Sequence, residues 1–178
     1  MTILDRLLAH DAWTTRQLLL RCRELSEEQM DTTFDIGDMS LRETFGHLIG
    51  CMEGHTDFLM GRSHREEHRN GSITEMLTRL TIVAKDFAEY ALRVDREGRA
   101  DETATNAENG NRRSLGGVIA HLITHSMHHR AQILYTMRTL GVLDAIEGDV
   151  LGWEAQARGW GWEDGGSYGT MVLDGPTR

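Results

Sequence analysis

The sequence predicts an all-α protein, an up-down four-helix bundle with a short C-terminal extension. Three observations carry this prediction. The only proline, Pro176, lies near the end of the chain, so no helix before it is interrupted by a ring that lacks an N–H. Four segments of roughly twenty residues repeat apolar side chains at three- and four-residue spacing. No stretch shows the sustained period-two alternation of β-branched residues that marks a strand. A chain of 178 residues suits one domain with one core.

The elements follow in order. The first helix runs from about Thr2 to Leu25, with Ile3, Leu4, Leu7, Leu8, Leu18, Cys22 and Leu25 on one stripe that Asp11 interrupts. Ser26-Glu-Glu-Gln29 has the form of a capping box and marks a turn, and residues 31–39 read as a connection. A second capping box, Ser40-Leu-Arg-Glu43, opens a helix to about Met60. The polar stretch Gly61 to Gly71 is an exposed link, after which Ser72-Ile-Thr-Glu75 caps a third helix to about Arg96. A polar link, Gly98 to Asn111, leads to the fourth helix, capped by Ser114 and stopped by Gly141. A short helix is expected around Val150 to Ala157. The bundle domain is therefore placed at 1–158, and the Gly- and Trp-rich tail 159–178 is expected to be largely irregular, with Trp160, Trp162 and Tyr168 available for packing.

Composition excludes several functions. A net charge of −9 lacks the basic footprint of nucleic-acid binding. No basic-then-apolar leader and no run of some eighteen apolar residues are present, so a cytoplasmic protein without a membrane span is expected. Two cysteines, Cys22 and Cys51, are too few for a disulfide framework and read as reduced thiols. The P-loop, the Rossmann fingerprint and the G-x-S-x-G elbow are all absent.

The chemistry-bearing residues are histidines. His121, His125 and His129 recur every fourth residue of the fourth helix. An i,i+4 pair is offset by only about 40° and lies one turn apart, so His125 and His129 can chelate one divalent ion or stand as hydrogen-bonded core-edge residues. His47, between Phe45 and Leu48 on the second helix, is the natural candidate for a third ligand beside such a pair, and alone would read as a satisfied core residue. His121 extends the pair by one turn and could ligate, orient a ligand or line the pocket, but its offset of about 80° from His129 is too wide for all three to share one ion comfortably. His10, at the break in the first stripe, is a second candidate for the pocket or a surface residue. His55 is a weaker pocket candidate, and His128 should face away. His64 and His68 sit in a charged link and read as exposed. Ser126 stands where H-E-x-x-H would place its glutamate, so that general base is missing. Arg130 reads as an exposed salt-bridge partner or an anion contact.

The segment from Ala120 to Ile133, with its H-x-x-x-H followed by Arg130-Ala-Gln132 and then Leu140-Gly141, resembles the late-helix pattern of the DinB family of bacterial four-helix bundles. Ala131 replaces the family's usual glycine. Ser40-Leu41 followed by His47-Leu48 is similar to an earlier segment of that family, and His10 to Trp13 with Leu25 to Gln29 is a weaker match. The resemblance covers about residues 1–155. It implies a DinB-type bundle, metal ligands at His47, His125 and His129, and a divalent transition metal, commonly zinc or nickel. It also implies a small-molecule substrate and a homodimer. Some relatives use low-molecular-weight thiols such as bacillithiol or mycothiol. Three function classes follow: a metal-dependent thiol S-transferase with His121 or His10 assisting proton transfer, a metal-dependent hydrolase, and a non-enzymatic metal- or small-molecule-binding stress protein.

Overall fold

The structure is a computed structural model that describes residues 1–63, 65, 68, 70–106, 109–142 and 149–159. The expected tail after Gly159, its aromatic residues and His64 lie outside them. Four long helices form the body: α1 (Ile3–Arg21), α3 (Leu41–Leu59), α4 (Ile73–Arg96) and α5 (Leu115–Thr139). Short helices α2 (Glu27–Asp31) and α6 (Val150–Arg158) flank them. Ser26, Ser40 and Ser72 each close the reciprocal capping box that the sequence shows, and Ser114 caps α5 through the Gly117 N–H. Each cap satisfies otherwise orphaned donors at a helix start. Gly141, at φ +89°, ends the last long helix where a left-handed residue is needed.

The all-α four-helix class is borne out. Within it, the direction of travel is up, down, down, up rather than strictly alternating. One core cluster joins Leu18 and Leu19 of α1, Leu41 to Met52 of α3, Met76 and Leu80 of α4, and Ile133 and Met137 of α5. The other joins Leu8, Leu59, Phe87 to Val94, and Leu115 to Leu122. The helices α3 and α4 therefore run from the first cluster to the second, and α1 and α5 run the other way. The link after α3 makes this possible by returning along the bundle. Arg65 of the link binds Asp57, Arg79 reaches the His68 carbonyl, and Arg42 at the start of α3 reaches the Gly71 carbonyl. In this arrangement α3 packs against both α4 and α5, and its contact with α5 is antiparallel.

The two connections read from sequence at 31–39 and 98–111 contribute to short hairpins. Strands β1 (Thr33–Phe34) and β2 (Met39–Ser40) pair antiparallel, as do β3 (Thr103–Thr105) and β4 (Arg112–Ser114). Asn109-Gly110 supports the second reversal, with Gly110 at φ +71°. Strands of two or three residues are too short for a period-two pattern to register. Likewise α1 stops at Arg21 and tightens into a 3₁₀ turn, Cys22–Glu24, instead of reaching Leu25.

Asp11 and Arg130 explain the broken stripe of the first helix. They form a buried ion pair between α1 and α5, with side chains only 4% and 5% exposed. Arg130 is thus neither an exposed salt-bridge residue nor a contact for an external anion. Burial raises the Asp11 carboxyl above its usual range, and Arg130 and the Ser126 hydroxyl offset part of that rise.

Candidate metal centre

The antiparallel contact of α3 and α5 places His47 opposite the His125–His129 pair. One ligand nitrogen from each of the three lies within 4.8 Å of the others. Ring centroids are separated by 5.3 Å (His47–His125), 4.8 Å (His47–His129) and 4.4 Å (His125–His129). Two imidazoles sharing one zinc ion, with Zn–N near 2.0–2.1 Å and an angle between square and tetrahedral, have centroids about 4.5–5 Å apart and nitrogens about 3 Å apart. The Nε2 atoms of His125 and His129 are 3.2 Å apart. The donor set therefore fits a divalent transition ion held by three neutral histidines, with coordination positions left for small ligands.

The surroundings favour the neutral form of His125 and His129. Burial, together with the neighbouring imidazoles of His129, His47, His121 and His55, lowers the pKa of His125 to about 4. Burial also lowers that of His129, although its hydrogen bond to Gln132 works the other way. Gln132 Oε1 is 2.8 Å from His129 Nδ1, so that nitrogen donates and Nε2 is left as the ligand atom. The Gln132 amide is fixed at its other end, since its Nε2 lies 3.3 Å from His128 Nε2. A Cβ on Gly37, in the β1–β2 turn, would come within 3.1 Å of Gln132, so this glycine leaves room for the orienting amide. Sequence reasoning gave Gln132 no role, although its i,i+3 spacing from His129 was a usable signal.

Of the other histidines, His121 is exposed on α5, its ring 5.3 Å from that of His125. His128 is exposed, as its helical offset predicts. His10 is buried on α1, its ring edge-on to Trp153 of α6 at 6.1 Å, and is not brought into the triad. His55 is more central than its sequence reading suggested. It stands 5.3 Å from His121, and its Nδ1 is 2.9 Å from the Cys51 carbonyl oxygen. The Cys51 Sγ lies 3.6 Å from His47 Nε2.

An open cleft of about 990 Å³ adjoins the triad on the α3 side. Its walls include His47, Cys51, His55 and His121, and the β3–β4 hairpin closes one edge. The buried carboxylate on this wall, Glu53, and its neighbour Asp57 are already matched. Arg79 holds Glu53, and Arg65 holds Asp57, whose carboxyl its hydrogen bonds keep below the usual range.

The family model for the DinB family matches residues 1–151. The chain belongs to the DinB family. Two solved structures agree with this fold. YfiT from Bacillus subtilis, described as a probable metal-dependent hydrolase with an unusual four-helix bundle topology, is 15% identical, with a TM-score of 0.60 over 79% of this chain and 90% of its own. A DinB-like protein from Bacillus cereus is 17% identical, with a TM-score of 0.57 over 75% and 87%. Both likenesses show the fold alone. No curated protein gives a significant match to the chain. Among the described residues no helix is long and apolar enough to cross a membrane.

Proposed function

We propose that this DinB protein is a metal-dependent enzyme that transfers a small thiol onto an electrophilic substrate. The observation that carries the reading is a three-histidine donor set at the edge of a large open cleft. A divalent ion bound there supplies Lewis acidity that lowers the pKa of a thiol or a water molecule. His47, His125 and His129 would hold the ion, with zinc or nickel the expected metals, and Gln132 would orient His129. His121, exposed at the cleft wall, accepts the proton released by the incoming nucleophile. His10 does not share the cleft wall, so of the two histidines read as catalytic we assign the role to His121. A cleft of about 990 Å³ stands at the upper end of small-molecule sites and has room for a thiol together with its acceptor.

A second reading, hydrolysis, has one specific observation in its favour: the description of YfiT as a probable metal-dependent hydrolase. A thiol requirement separates the two. Metal-loaded protein is assayed against electrophiles with and without low-molecular-weight thiols. Thiol consumption matched to product supports transfer, whereas turnover independent of thiol overturns it in favour of hydrolysis.

A further inference from the structure

The α3–α5 contact carries more histidine than one ion uses. His55 lies eight residues beyond His47 on α3, and His121 lies four before His125 on α5. Because the helices are antiparallel, both steps lead in the same direction, and the two rings meet at a centroid separation of 5.3 Å. We propose that His55 and His121 form a second divalent-metal site, facing the cleft and one helical turn along from the triad.

Three features support this site. The separation matches the span of about 5 Å set by two imidazoles on one ion at tetrahedral angles. The Cys51 carbonyl oxygen, 2.9 Å from His55 Nδ1, accepts a hydrogen bond from the N–H of that nitrogen and leaves the Nε2 lone pair for a metal. A ring hydrogen-bonded to a backbone carbonyl in this way is the usual arrangement of a metal-ligating histidine. Finally, both side chains line the open cleft, so a hydrated ion reaches them and water completes the coordination sphere.

Two protein ligands bind more weakly than three, so this site fills after the triad. Its ion would stand beside whatever occupies the cleft. The site itself does not depend on which reaction the triad supports.

The test is calorimetric titration of the untagged full chain with Zn(II), in wild type and in His55→Gln, His121→Gln, His68→Gln and His125→Ala. Wild type and the His68 control should take up two equivalents, one tight and one weaker. His55→Gln and His121→Gln should keep only the tight one, with unchanged helical circular dichroism. His125→Ala should lose the tight equivalent and keep the weaker. A single equivalent in wild type overturns the second site, as does a weaker equivalent that survives in both the His55 and His121 variants. Loss of the tight equivalent only on mutating His55 or His121 would instead count against the triad.

Discussion

Replacing Gln132 with Leu removes its hydrogen bonds to His129 and His128 and leaves every proposed ligand in place. Gln132 Oε1 is 2.8 Å from His129 Nδ1, and the side chain is half-buried. Without that acceptor, His129 is free to rotate or to carry its proton on Nε2, the atom needed for the ion. Loss of such an outer partner weakens metal affinity about 10- to 100-fold, equivalent to about 1.4–2.7 kcal/mol. The opposite end of the amide meets exposed His128, so that contact adds little to the expected loss. Competition between untagged protein and a chromogenic chelator for Zn(II) reads the affinity directly. Gln132→Glu keeps an acceptor and should retain or strengthen binding. If Gln132→Leu binds within twofold of wild type while His129→Ala loses more than a hundredfold, the orienting role is refuted.

Three further outcomes are expected. The folded pKa of His125, about 4, and the lowered one of His129 lie below the unfolded value of about 6.5, so the unfolded chain binds more protons between those limits. Metal-free protein should therefore keep its stability above about pH 6.5 and lose it progressively toward pH 4. Thermal melts in chelator check this, and a His125→Ala profile no flatter than wild type would contradict it. Breaking the buried Asp11–Arg130 pair with Asp11→Asn or Arg130→Met should cost about 3–5 kcal/mol, while Asp11→Leu with Arg130→Met should recover most of the loss; urea unfolding of the three variants gives the comparison, and single variants at wild-type stability would sink it. Cys22 is fully buried, and burial pushes its thiol up to about 12, so in the folded protein only half-buried Cys51 should react with a thiol reagent, more slowly once Zn(II) is bound beside His47.

Much of this site was legible because helical periodicity converts spacing into direction. The i,i+4 spacing of His125 and His129 was enough to place both rings on one face, and the apolar neighbours of His47 placed it on a buried element. The capping serines marked where three long helices begin. What spacing lacks is the relation between helices. The parallel run of α3 and α4 depends on contacts that spacing does not show: Arg65 of the link binds Asp57 of α3, and Arg79 of α4 reaches the His68 carbonyl. His55 looked peripheral for the same reason, since its neighbour His121 is distant in sequence and near only because α3 and α5 are antiparallel. Asp11 appeared as a flaw in an apolar stripe until its partner, more than a hundred residues away, was in place.

The most direct test of the account is the tightly bound metal content per chain after gel filtration, by elemental analysis of untagged wild type and of His47→Ala, His125→Ala and His129→Ala. The account predicts one tight divalent ion in wild type and its loss in each variant, with helical content unchanged. Equal metal content in wild type and in folded His47→Ala would contradict it, because an ion indifferent to His47 is not held between α3 and α5.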